Sequence, residues 1–261
     1  MSSNDLAGIE HWEMIYHKVG RIRKGWRPAN YDSLTLAHAL TSEIKRHEAT
    51  NILEVGCGNS VWLPYLAQKA RVAVAGLDYS QEGCELARQR LSQEEVLGEI
   101  FCDDLFHATS ERIGQYDFVF SLGLVEHFAS SEEVVAKLLE FVKPGGLLFT
   151  EVPNLRSIHG LLSWVWQPKL LAMHQLISKE QLLRNYKRLG LRDIHGRYCG
   201  LFSLNIVAWE LYPRWPMIAP LLLPFIRKIH LLTDVLLCRI KRFEGIQPFA
   251  PFLYVVGQKP A

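Results

Sequence analysis

Apolar residues recur along this chain with two different periods. Over residues 10–48 the spacing is helical: in "DSLTLAHALTSEIKRHE", Leu34, Leu36, Ala37, Leu40 and Ile44 fall roughly on one face. From residue 51 the pattern shortens to buried runs bounded by turn residues. "NILEV" predicts a first strand, "VAVAGLD" (Val72 to Asp78) a second, "GEIFCDDLF" contains a third, "YDFVFSLG" a fourth and "GGLLFTEV" a fifth. Helices are predicted between them: "VWLPYLAQKA", which tolerates Pro64 only in its first turn, "SQEGCELARQRLSQE" with Ser80 as its cap, and "SEEVVAKLLEFV" with Ser131 as its cap. Strand and helix alternate from residue 51 to residue 152, which predicts a mostly parallel sheet covered on both faces.

After Val152 the rhythm changes. "PNLRSIHGLLSWVWQPKLLAMHQ" is aromatic and irregular, and "SKEQLLRNYKRLG" is a helix with Ser178 and Gln181 at capping-box spacing and Gly190 as its stop. Residues 200–247 form a proline-punctuated, helix-prone insertion, and "PFLYVVGQK" is a closing strand. From Phe225 onward, Ile229, Leu232, Leu236, Ile240 and Phe243 recur at three- and four-residue steps, with Arg227, Lys228, Asp234 and Lys241 largely elsewhere. This stripe is expected to roof a substrate pocket. Peripheral contact with a membrane, or a homodimer, through residues 213–243 are the other readings.

Composition narrows the picture. Apolar residues at 49% and charged residues at 21% suit a packed globular chain, and a net charge of +2 argues against nucleic acid as an obligate partner. The five cysteines contain no CxxC pair and are odd in number, which points to a reducing, cytoplasmic setting. "MSSNDLAGIEHWEMIYHK" lacks the apolar core of a signal peptide. The run from Trp215 to Ile226 falls short of the ~20 residues of a spanning helix, and Pro216, Pro220 and Pro224 break it.

The stretch "NILEVGCGNS" carries the first chemical signal. A strand running into Gly56 and Gly58 lets backbone approach a ligand closely, at the carboxyl edge where open parallel sheets bind ligands. Asp78 ends the second strand, placed to accept hydrogen bonds from ribose hydroxyls. A dinucleotide enzyme would share this geometry, but its third glycine position is Val61 here. Glu54 would oppose a pyrophosphate and could hold a positively charged ligand.

"LEVGCGNS", "LDYS", "CDDLF", "YDFVFSLGLVEHF" and "VKPGGLLFTEVPN", in this order, resemble the class I S-adenosylmethionine-dependent methyltransferases. The resemblance covers about residues 45–195 and the last strand, 250–259; Ser60 stands where the family often has a third glycine. It implies an α/β, Rossmann-like, doubly wound and mostly parallel seven-stranded sheet with an antiparallel last strand and helical insertions. A single domain is expected over residues 1–261: an N-terminal helical cap (1–48), a cofactor-binding core (49–195), substrate-side insertions (154–177 and 200–247) and the closing strand (250–259). Glu54 would lie beneath the methionine part, and Gly56, Cys57 and Gly58 would pass against the cofactor. Asp78 would hold the ribose hydroxyls and Tyr79 would lie on the adenine. Asp104, or Asp103 if the register slips by one, would receive the adenine amino group, with Leu105 beside it. Ser121 and Leu122 would contact the cofactor through backbone atoms.

The implied reaction is an in-line displacement at the sulfonium methyl, moving it to a small, fairly hydrophobic acceptor; oxygen is favoured as the acceptor atom, then nitrogen, carbon or sulfur. His127 in "VEHF" is the candidate general base, against the reading that "EH" merely starts or caps the next helix. His159 and His174 are weaker candidates. No spacing suggests a metal site, such as HxxxH. Trp12, Tyr16, Trp26, Tyr31, Trp164 and Trp166 are expected either to shape the acceptor pocket or to pack between helices. A nucleotide-cofactor oxidoreductase and a non-catalytic cofactor-binding module are the competing readings.

Overall fold

The computed structural model describes residues 5–18, 24–107, 110–205, 207, 209–240 and 243–261; Lys241 and the first four residues of the N-terminal cap lie outside the described residues. Two helices come first, α1 (Ile9–His17) and α2 (Tyr31–Arg46), the second capped by the Asn30 side chain, which accepts from the Ser33 N–H at 2.8 Å. Then follow β1 (Asn51–Val55), α3 (Trp62–Ala70), β2 (Ala73–Asp78), α4 (Gln81–Gln93), β3 (Gly98–Cys102), β4 (Tyr116–Leu122), α5 (Ser131–Phe141) and β5 (Val142–Pro153). Beyond these lie α6 (Ile158–Trp166), the short α7 (Pro168–Leu171), α8 (Lys179–Arg188), β6 (Arg192–Cys199), α9 (Ala219–Ile240) and β7 (Phe252–Gln258).

The strands form one seven-stranded sheet in the order β3-β2-β1-β4-β5-β7-β6. β1 to β5 pair in parallel, while β7 runs antiparallel between β5 and β6. Because β1 is covered on both sides, it is apolar almost throughout and its side chains alternate between two cores: Ile52 enters one, Leu53 and Val55 the other. The chain leaves β1 toward β2 on one side and returns to β4 on the other, so the carboxyl ends of β1 and β4 flank the crevice where the strand order reverses.

One cap differs from expectation. Ser80 caps α4, accepting from the Gly83 N–H at 3.0 Å, but α5 is capped by Ser130, not Ser131. Ser131 is instead the first helical residue and is buried, where its hydroxyl accepts from the Gln181 and Asn185 amides at 3.2 and 3.0 Å. Ser178 caps α8 as expected, accepting from the Gln181 N–H at 3.1 Å.

Among the described residues, the apolar stripe of α9 does not roof the cavity at the sheet's carboxyl edge. Leu232 and Leu236 are 63% and 59% exposed, and Phe225, Ile229 and Ile240 are exposed with them. The described lining of the cavity at the sheet's carboxyl edge includes no residue of 213–243. The helix is held at its start by Ala219 and Leu223, which pack with Trp166 and Val207, and further along by a polar contact: the Asp234 carboxylate accepts the Tyr31 N–H at 2.6 Å, at the start of α2, where a helix N-terminus favours negative charge. The Asp234 that interrupts the basic residues in sequence is therefore the tie between α9 and α2. No helix among the described residues is long and apolar enough to cross a membrane.

Exposed leucines lose little on truncation, so the double variant Leu232→Ser/Leu236→Ser should unfold in urea within about 1 kcal/mol of the wild type. A loss several times larger would show that the stripe is packed against something in solution.

Candidate functional site

The turn after β1 is shaped by backbone hydrogen bonds. The Gly56 and Cys57 N–H groups both donate to the Leu77 carbonyl, at 2.8 and 3.1 Å, and Gly56 turns the chain at a φ of +76° that disfavours any side chain. Next the Gly58 N–H donates to Asp78 Oδ2 at 2.7 Å, while Asp78 Oδ1 accepts the Ser80 N–H at 2.8 Å. Asp78 thus braces two turns at once. Burial pushes its carboxyl up to about 6, against the hydrogen bonds from Ser80 and Gly58.

A cavity of about 240 Å³ opens over these turns. Gly56 from the end of β1, Asp78 and Tyr79 from the end of β2, and Leu122 from the end of β4 lie in its wall. Asp103, Asp104 and Leu105 join them from the loop after β3. Asp103 Oδ2 accepts from Arg112 at 3.1 Å, and Asp104 Oδ1 accepts the Phe106 N–H at 2.9 Å, so both acids are oriented locally.

Five other expected residues lie outside the wall: Glu54, Cys57, Gly58, Ser121 and His127. Cys57 packs into the core, where a Cβ added at Gly76 would meet its sulfur at 2.6 Å. Gly58 is covered by Tyr16, whose hydroxyl would lie 2.0 Å from any Cβ at that position. Glu54 is buried below the turn, where the Ser60 hydroxyl donates to it; burial pushes its carboxyl up to about 8. Serine at the family's third-glycine position thus has a partner of its own. Ser121 is fully buried with its hydroxyl unpartnered.

His127 sits in a single 3-10 turn (Val125–His127) just behind the cavity. Burial pushes its imidazole down to about 3, helped by the nearby His174. Its Nδ1 lies 3.1 Å from the Met173 carbonyl, and the Trp12 ring stands edge-on to it at 4.9 Å. A buried imidazole of this kind is a weak proton acceptor in its own right.

The side opposite the sheet is closed by α1 and the residues before it. Trp12 and Tyr16 stack at 6.2 Å and both line the cavity, the first of the two readings open for them. Trp164 is instead exposed, and Trp166 is buried against Trp209 and Trp215, away from the cavity. Asp5, which accepts from the Tyr79 hydroxyl at 2.7 Å and lines the cavity, was not legible beforehand, because a lone acid before a helix has no distinguishing pattern.

Comparison with known proteins agrees with this geometry. A family profile described as a methyltransferase domain matches residues 26–196. The chain is similar to a malonyl-[acyl-carrier protein] O-methyltransferase of Priestia megaterium, 30% identical over 49% of this chain and 48% of the relative. It is also similar to a ubiquinone biosynthesis O-methyltransferase of Bordetella avium, 30% identical over 41% of this chain and 44% of the relative. The chain thus spans about half the length of these curated relatives. Among solved structures, the plantazolicin methyltransferase BpumL in complex with SAH superposes with a TM-score of 0.57 at 17% identity, covering 87% of this chain and 84% of that one. With its profile match over well over half its length and its 3-2-1-4-5-7-6 sheet, the chain belongs to the class I S-adenosylmethionine-dependent methyltransferase family.

Proposed function

We propose that the protein transfers a methyl group from S-adenosylmethionine to a small, apolar acceptor, with an oxygen as the acceptor atom, and that residues 1–261 act as one domain. The observation that carries this reading is the convergence of Gly56, Asp78, Tyr79 and the Asp103–Asp104 pair on one cavity at the switch point of the sheet. The O-methyltransferase names of the relatives support oxygen.

The residues present suit the cofactor. The Asp78 carboxylate accepts backbone N–H groups from Gly58, Ser80 and Tyr79, and its roughly four lone-pair sites leave room for a ribose hydroxyl. Tyr79, held by Asp5, offers a ring face for adenine, and Asp104 or Asp103 an acceptor for its amino group. Glu54 lies under the glycine turn, where a carboxylate would face the ammonium of the methionine part. When bound, the cofactor supplies a methyl group on a positively charged sulfur. The chain's part is to hold the acceptor in line with that methyl and to keep water out, which is where most of the acceleration arises. Trp12, Tyr16 and Phe128 make the cavity wall apolar enough for that purpose.

Asp78→Asn keeps the size of the side chain but removes its charge. It should weaken S-adenosylmethionine binding at least ~10-fold in calorimetry, since hydrogen bonds to a charged acceptor contribute about 1.5–3 kcal/mol each. An unchanged affinity in a variant whose circular dichroism is native would remove Asp78 from the cofactor site.

Glu54 gives a pH signature. Its carboxyl, raised to about 8 by burial, carries a proton at pH 7 in the free protein. An ammonium placed beside it favours the carboxylate, so binding at pH 7 should release protons. The release should fade above pH 8, where Glu54 has already ionised. Titrations in buffers of different ionisation enthalpy measure it directly. Release of the same size from Glu54→Gln would show that the proton comes from elsewhere.

A further inference from the structure

Behind the cavity, three side chains from separate parts of the sequence converge. Glu126 and His127 follow β4 on the 3-10 turn, and His174 follows α7. One ligand atom from each lies within 4.8 Å of the others. Two contacts clamp the His174 segment over the turn: the Gln175 N–H donates to the Glu126 carbonyl at 2.6 Å, and the Gln175 amide donates to the Ala129 carbonyl.

The proton arrangement is the telling feature. His127 Nδ1 lies 3.1 Å from the Met173 carbonyl and His174 Nδ1 lies 2.8 Å from the Leu170 carbonyl. A carbonyl can only accept, so each Nδ1 carries the proton and each Nε2 is left with a lone pair. Metal-bound histidines are oriented by such contacts. Glu126 Oε1 is 3.9 Å from His127 Nε2, beyond hydrogen-bond reach, and Glu126 Oε2 is buried with no partner. Glu151, also fully buried beside it, leaves Oε1 unpartnered. Two imidazole lone pairs and the Glu126 carboxyl thus converge with no hydrogen bond between them among the described residues, an arrangement that suits a bound cation.

We propose that Glu126, His127 and His174 bind a divalent transition-metal ion, which holds a hydroxyl of the methyl acceptor at the cavity. Two imidazoles and one carboxylate suit Zn²⁺, Fe²⁺, Co²⁺ or Mn²⁺ better than Mg²⁺ or Ca²⁺, and they leave coordination positions open. Bonds of about 2.1 Å require the ligand atoms to close to roughly 3–4 Å, a shift of about 1 Å. Gly123 adjoins both the three side chains and the cavity. This residue lines the wall, and a Cβ there would stand 3.5 Å from Glu126 Oε1. The adjacent Glu126–His127 pair and a histidine 47 positions further on share no helical spacing, so the set is assembled by the fold alone.

The role for the ion rests on the methyl-transfer reading. A hydroxyl on the metal becomes more acidic and gives its proton to solvent. The alkoxide or phenoxide oxygen then attacks the methyl carbon. The new O–C bond forms as the S–C bond breaks, and its electron pair stays on sulfur, which becomes a neutral thioether. His127 thereby serves the acceptor as a ligand, and no free base is needed.

Co²⁺ titration of the full chelator-treated chain, followed by visible absorption, tests the site. One equivalent should bind with ligand-field bands, Zn²⁺ should displace it, and Zn²⁺ should raise the melting temperature. His174→Ala and Glu126→Gln should each lose at least ~100-fold in Co²⁺ affinity while binding S-adenosylmethionine as the wild type does. His174→Gln serves should the alanine variant not fold. Phenol added with S-adenosylhomocysteine should shift the bands of the bound ion. No stoichiometric Co²⁺ binding by the wild type, or undiminished binding by the folded variants, overturns the site; unshifted bands overturn the hydroxyl role. S-adenosylmethionine binding without metal would leave the methyl-transfer reading standing, whereas metal binding without S-adenosylmethionine would remove that reading and keep the site.

Discussion

The carboxylate of Asp78 is the joint on which the cavity depends. It accepts the N–H of Gly58 from the turn after β1 and that of Ser80 from the cap of α4. Those two turns would otherwise end with buried, unpaired donors. The Leu77 carbonyl next to it takes the Gly56 and Cys57 N–H groups, so the whole glycine turn hangs from the last two residues of β2. This explains why a strand ends in two glycines: the backbone must bend tightly around a neighbouring strand's carboxylate, with Gly56 in the cavity wall and Gly58 packed under Tyr16.

The same edge of the sheet collects an unusual charge burden. Glu54, Asp78, Glu126 and Glu151 are all buried near the carboxyl ends of β1, β2, β4 and β5. Burial raises the carboxyls of all four, to about 8 for Glu54 and Glu126. Buried acids without cations weaken a fold, since each must either hold a proton or remain poorly solvated. A sulfonium and an ammonium on one side, and a divalent ion behind Gly123 on the other, would offset that cost at the places where it is greatest. Stability is in this sense given up at one edge of the molecule for binding there.

Much of the fold was legible because β1, β2, β4 and β5 are largely buried, so each appears as an apolar run between turn residues; β3 is an edge strand in which only Ile100 is buried. β6 was not legible from its own residues: "RDIHGRYC" is an edge strand, largely polar and half-exposed, with no alternation to read. Capping of α5 slipped by one residue because Ser130 and Ser131 are chemically equal candidates, and only the packing of α8 decides between them. The apolar stripe of α9 predicted a helix correctly but not its surroundings, since periodicity tells which residues share a face and not what that face meets. In the site, Gly56 and Asp78 were legible from their places at strand ends, whereas Tyr79, the acidic pair, Leu105 and Leu122 followed from the family resemblance; all of them line the cavity. Glu126 with His174 was not legible, because their meeting depends on the path of the chain between β5 and α8.

The claim that matters most is that the cavity over the glycine turn holds S-adenosylmethionine. Equilibrium dialysis of the labelled cofactor against the full chain measures this without any acceptor. Saturable binding of one molecule per chain, displaced by S-adenosylhomocysteine and not by NAD, is the result expected. Absence of saturable binding, or displacement by NAD at comparable concentration, would contradict the account.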